Sequence, residues 1–142
     1  MLTGSMASNF WGIPRTTHHL DFVLSFEEDR VTALVSAFEE DYALEAASVR
    51  RAFRKPHMFA RRLRVTLFGE PAWIATAEDT LLHKLCRNRI TPAKRQLGDA
   101  AGIVAVQGAE LDRSYLEQWA SELGVVAVLS DLLDGKIRPK ST

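Results

Sequence analysis

The chain holds 142 residues, with Lys+Arg and Asp+Glu balanced at 18 each and a formal net charge of zero. That length suits one core that buries about two-thirds of the unfolded surface, and the charge balance excludes a protein working by overall basic attraction to nucleic acid or an anionic membrane. The lone cysteine, Cys86, excludes an intramolecular disulfide; with no signal-peptide apolar region and no run of membrane-spanning length, the chain reads as cytoplasmic and not membrane-bound.

Leu2 and Thr3 open as a strand that runs into Gly4-Ser5 and then a short helix, with Met6, Ala7 and Phe10 on one face. Gly12 and Pro14 stop that helix. Gly4-Ser5-Met6 also matches a tag remnant, but the residues after it argue for a turn belonging to the fold. Residues 19–26 read as a strand of about six residues, with His19, Asp21 and Val23 on one face and Leu20, Phe22 and Leu24 on the other. Ser25 and the acids after it start a helix whose Val31, Leu34, Val35 and Phe38 recur at helical spacing, expected to pack on a sheet. Residues 41–44 read as a short strand and 45–53 as a helix. Residues 63–69 and 72–76 alternate as strands about a turn at Gly69-Glu70-Pro71.

Beyond Thr76 the pattern becomes helical. Thr76 is a helix cap with Asp79 three residues on, followed by Leu81, Leu82 and Leu85 as an apolar stripe. Residues 93–107, 111–124 and 125–135 each carry helical periodicity, and 136–142 read as a frayed tail. The expected organisation is α/β: residues 1–76 as a short mixed sheet with flanking helices, and 77–135 as a C-terminal helical bundle packed on it in one compact unit. Trp11, Trp73 and Trp119 are expected as core anchors and Cys86 as a small core residue. Asp99 caps, or pairs with Arg95 at i+4. Arg50, Arg51, Arg54, Lys55, Arg61, Arg62 and Arg64, interleaved with Phe53 and Phe59, form a local basic stretch that reads as a solvated loop or an RNA contact.

A Gly-Ser pair at a strand-to-helix junction lets backbone approach a phosphate, while helix N–H groups and the Ser5 hydroxyl donate to it. Paired carboxylates on a neighbouring strand would add the metal ions that bridge triphosphate oxygens. Asp21 is one such carboxylate, and His19 stands where the second would be. Imidazole suits Zn²⁺ or another transition metal better than Mg²⁺, but strand alternation sends His18 to the opposite face from His19 and Asp21.

The stretch from Leu2 to Leu24, "LTGSMAS..WGIPRTTHHLDFVL", resembles the opening motif of the DNA polymerase β-like nucleotidyltransferase superfamily, in which Gly-Ser precedes Asp-x-Asp on a strand. It is most similar to small bacterial nucleotidyltransferase-like proteins related to abortive-infection nucleotidyltransferase toxins. The later match is "TAEDTLLHKLCRNRITPAKRQLGDAAGIVAVQG", with Glu78, Asp79, Lys84, Arg95 and Asp99 at the family positions. The resemblance implies a minimal nucleotidyltransferase fold in which Gly4 and Ser5 hold the NTP triphosphate, Arg15 neutralises a phosphate, and Lys84 and Asp99 lie near the nucleotide. It further implies Asp21 as catalytic metal ligand, joined by His19, with Mg²⁺ or else Mn²⁺ or Zn²⁺ as cofactor, and a protein or tRNA hydroxyl as acceptor. Three departures from the pattern imply lost or much reduced transfer. The N-terminal edge is short, His19 replaces the first carboxylate, and the family's Lys-x-Asp strand has no counterpart before "RRLRVTLFGEP". Two readings stay open: a nucleotidyltransferase with an unusual site, or a non-catalytic binding module in a toxin-antitoxin or mobile-element setting, whose short edge favours a homodimer.

Overall fold

The computed structural model describes residues 1–24, 30–38 and 56–139. Among them, strand β1 (Leu2–Thr3) leads directly into helix α1 (Gly4–Trp11), and β2 (Asp21–Phe22) returns beside it. Helices α2 (Val31–Phe38) and α3 (Pro56–Ala60) precede a hairpin of β3 (Leu63–Leu67) and β4 (Glu70–Ile74). Helices α4 (Ala77–Ile90), α5 (Lys94–Gln107), α6 (Arg113–Leu123) and α7 (Val126–Leu133) complete the chain, with a 3₁₀ turn at Gly108–Glu110. The architecture is mixed α/β, as the hydrophobic patterning implies.

The sheet has four strands in the order β2-β1-β4-β3. β1 runs antiparallel to β2 and parallel to β4, and β3 and β4 are antiparallel. The register of the first pair positions the site. Thr3 lies opposite Asp21 and Leu2 opposite Phe22, so the last residue of β1 and the first of β2 sit at the same end of the sheet. The Gly-Ser turn and Asp21 are therefore neighbours by strand pairing.

Two apolar clusters hold the fold. The larger gathers Leu81 and Leu85 of α4, Ala100 and Ile103 of α5, Leu116 of α6 and Leu132 of α7, among others. The smaller lies against the sheet and contains Leu2, Ala7 and Ile74. Trp11 packs against both, and its indole N–H donates to the Ala75 carbonyl at 2.7 Å. α1 crosses α5 where two glycines meet: a Cβ on Gly12 would stand 2.8 Å from the backbone of Gly102 and Ile103, closer than packed atoms approach. α4 begins as its sequence requires, with the Thr76 hydroxyl accepting from the Asp79 N–H at 3.1 Å, which satisfies one of the helix's orphan donors.

Several sequence expectations are corrected. The strand of about six residues around Asp21 is two residues long, because β1, its partner, is also two residues long. The hairpin turns at Phe68-Gly69, both at positive φ, and Glu70 and Pro71 belong to β4; two positive-φ residues match the twist of a tight hairpin. Trp73 is 45% exposed on β4, with the Arg62 guanidinium 4.6 Å from its ring centre, so it covers the sheet surface and anchors no core. Cys86 is half-buried against the helical cluster, as expected of a small apolar residue. In the segment read as a tail, Ile137 packs on that cluster and Lys136 pairs with Asp131 and Asp134. On α2, Thr32, Ala33, Ser36 and Ala37 are exposed. The short strand at 41–44, the helix at 45–53, the start of the helix at Ser25 and the basic residues Arg50, Arg51, Arg54 and Lys55 lie outside the described residues. No helix among the described residues is long and apolar enough to cross a membrane.

Candidate functional site

A cleft of about 460 Å³ opens where the sheet end meets the helical part, within the size range of small-molecule sites. Gly4, Ser5, His19 and Asp21 line its sheet side, His83, Lys84 and Arg87 come from α4, and Arg95 and Gln96 from the first turn of α5. Gly4 has φ +64°, and a Cβ there would collide with the Asp21 carboxylate, whose own Cβ would be only 2.8 Å away. Glycine is required on both counts: backbone in the left-handed region disfavours a side chain, and the space is already filled by Asp21. The α1 N-terminus, with its unsatisfied N–H groups, thus faces the same cleft as the Asp21 side chain.

Behind this wall stands a partly buried ionic triad. The Arg15 guanidinium donates to both Asp99 carboxylate oxygens, Nε to Oδ1 at 2.6 Å and Nη2 to Oδ2 at 2.7 Å, and Nη2 also reaches the Ser5 hydroxyl at 2.9 Å. Lys84 Nζ donates to Asp99 Oδ2 at 2.7 Å. Asn9 clamps the backbone of Arg15, accepting from its N–H at 3.2 Å and donating to its carbonyl at 2.6 Å. One carboxylate thus orients the loop cation, the helix cation and, through Arg15, the serine hydroxyl. The triad carries a net single positive charge.

Burial alone would push the Asp99 carboxyl up, but the hydrogen bonds from Arg15 and Lys84 outweigh it and hold it below the ordinary carboxylate value. The same contact to Asp99 raises Arg15. Burial pulls the Lys84 ammonium below its ordinary value, opposed by Asp99 and, more weakly, by the charge of Asp21. Lys84 is therefore a desolvated cation that answers to both carboxylates.

The residues singled out from sequence come together, though not in one shell. Gly4, Ser5, His19, Asp21 and Lys84 face the cleft; Arg15 and Asp99 brace it from behind. Asp99 does not pair with Arg95, the i+4 neighbour. Its partners are 84 and 15 residues away in sequence, and Arg95 turns to the cleft. Asn9, His83, Arg87 and Gln96 escaped the sequence reading. The spacing of His83, Lys84 and Arg87 places them on adjoining rows of one helix face, a signal that becomes readable once Lys84 is assigned to the site.

As a cation site the cleft is thin. His19, His83 and Asp21 bring two imidazole rings and one carboxylate to the lining, yet no group of three or more His, Cys, Asp or Glu side chains is placed to hold a metal ion among the described residues. A second acidic cluster lies elsewhere. Asp79 is buried, accepts from the Thr76 hydroxyl at 3.1 Å and from the Tyr115 hydroxyl at 2.6 Å, while Glu78 accepts from the Asp112 N–H at 3.1 Å. Arg61 lies 3.5 Å from the Tyr115 ring centre and 3.4 Å from Glu78 Oε2. This cluster ties α4 to α6, and its carboxylates are occupied by fold contacts. The neighbouring cavity of about 350 Å³ has Trp11, Arg61, Glu78 and Gln107 in its lining; Trp11 and Gln107 already hydrogen-bond the backbone at Ala75 and Trp11. Set against protein-family models, curated proteins and solved structures, the chain matches none.

Proposed function

We propose that the chain is a nucleotidyltransferase-like protein that binds a nucleoside triphosphate in the cleft and has lost, or retains only weakly, the transfer of a nucleotide to a protein or RNA hydroxyl. The observation that carries this reading is the convergence on one cleft of a glycine-opened helix N-terminus with its serine, the Asp21 carboxylate and the buried Lys84. The helix N-terminus, the serine and Lys84 suit a phosphate ester: backbone N–H groups and a hydroxyl donate to oxygens, and a desolvated ammonium balances charge. Gly4 and Ser5 would cradle the phosphates, Lys84 would contact them, and Arg15 and Asp99 would hold Ser5 and Lys84 in place.

Weak transfer follows from the acids. Among the described residues Asp21 is the only carboxylate lining the cleft, whereas in-line phosphoryl chemistry through two ions relies on shared oxygen ligands. The same scarcity favours the second reading, a binding module without catalysis. Calorimetric titration of the protein with ATP, GTP, CTP and UTP, with and without Mg²⁺ or Mn²⁺, tests nucleotide binding. Transfer of label from an α-labelled NTP to protein or tRNA tests chemistry. Micromolar binding with little or no label transfer is expected. Absence of binding for all four nucleotides under every condition would remove the reading, and brisk transfer would remove the claim of lost catalysis.

A further inference from the structure

We propose that this cleft neutralises a nucleoside triphosphate with protein cations in place of a divalent metal ion, an inference that rests on the nucleotide reading above. Mg²⁺ demands near-octahedral oxygen coordination, mostly from carboxylates, phosphates and water. The cleft's donor set does not fit it: Asp21 is the one carboxylate in a lining whose other candidate ligands are the imidazoles of His19 and His83, and among the described residues no three His, Cys, Asp or Glu side chains are grouped to hold a metal ion.

Cations fill the opposite side of the same space. Lys84 on α4 is joined by Arg87 one turn further along that helix and by Arg95 at the start of α5. Lys84 shares Asp99 with Arg15. Arg87 and Arg95 have no carboxylate partner among the described residues, so two guanidinium groups border the cleft without neutralisation by described acids. Guanidinium is planar, permanently charged and matched to phosphate in a two-point fork. Three cations against one carboxylate give the cleft an excess positive charge that a tetra-anionic triphosphate satisfies better than its Mg²⁺ complex does. Lys84 and the Ser5 hydroxyl sit on the inner wall, while the exposed Arg87 and Arg95 are free to close over the phosphates from the rim.

The experiment is isothermal titration of the full chain with ATP in EDTA and then in excess Mg²⁺, repeated with Arg87→Ala, Arg95→Ala and Asp21→Asn. ATP in EDTA is expected to bind at least as tightly as with Mg²⁺. Loss of one charged hydrogen-bonding partner weakens binding about tenfold, so each arginine variant should fall by about that factor in EDTA. Asp21→Asn, which removes the one anion from the lining, should tighten binding about threefold or leave it unchanged, the reverse of what a metal ligand would do. Both arginines are exposed, and thermal melting of each variant checks that the fold is kept. Binding that needs Mg²⁺, that disappears in Asp21→Asn, or that ignores both arginine substitutions overturns the inference while leaving the nucleotide reading standing. No binding of ATP in either buffer overturns both.

Discussion

Two residues decide whether the site exists. At Gly4 an alanine would meet the Asp21 carboxylate and strain a backbone at φ +64°, so Gly4→Ala is expected to destabilise by about 1–3 kcal/mol and to displace Asp21. Chemical denaturation gives the first number, and Gly4→Ala paired with Asp21→Gly tests the second: if the clash is the cause, the double variant recovers part of the loss. At Asp99, asparagine leaves Arg15 and Lys84 facing each other with their shared anion gone, at an expected cost of about 2–4 kcal/mol near pH 7. The pH dependence has a definite sign. The folded Asp99 carboxyl titrates below its ordinary value of about 3.9, so its contribution is complete above that value and is lost as pH falls through the folded one. Melting temperatures of wild type and Asp99→Asn should therefore converge as pH drops below about 4; a gap that stays constant would refute the role of the ionised carboxylate.

Elements differ in how legible they are. α4 is written locally, since Thr76 and Asp79 make its cap and Leu81, Leu82 and Leu85 its buried stripe, and these contacts span a few residues. β2 is not. Its side chains divide between two faces over six positions, but only Asp21 and Phe22 pair with β1, opposite Thr3 and Leu2, and Val23 adds one exchange of backbone hydrogen bonds with Met1. Trp73 misleads for a related reason: alternation puts it on one face of β4 without saying whether that face is covered. The site was legible as residue types and not as geometry, since the partners of Asp99 come from a loop and a helix far apart in sequence, and an i+4 neighbour is all that local spacing can offer. Between α4 and α6 the Tyr115–Asp79 hydrogen bond gives a further prediction. Burial, with the hydrogen bond to Asp79, raises the phenol well above its ordinary value, so the stability it adds is intact below about pH 10 and lost as pH climbs towards the folded value. Tyr115→Phe should cost about 1–2 kcal/mol at neutral pH and flatten the alkaline decline in stability. Ultraviolet titration of the chain's two tyrosines should show one ionising late, and only in wild type.

For the whole molecule, the junction at Trp11 matters most. It touches both apolar clusters and bonds the backbone at Ala75, so sheet and bundle share one large side chain. Trp11→Ala is expected to cost about 3–5 kcal/mol and to separate the unfolding of the two parts. Hydrogen exchange should then report faster opening of β1 and β4 than of α4 and α5, where wild type opens them together. Uniform acceleration across all four elements would show that Trp11 contributes stability without coupling.

The Arg15–Asp99 bridge has a consequence for synthesis. A chain emerging from a ribosome presents the Gly-Ser turn and Asp21 early, yet their brace lies 84 residues further on from Arg15. Until α5 has cleared the exit tunnel, Arg15 has no carboxylate to hold and Ser5 no guanidinium to orient it. Domains form as units once their distant contacts are present, so a nascent fragment ending before α5 would carry every residue of the sheet-side wall and still have no cleft. The cleft is thereby a feature that arises late, when its last wall is translated.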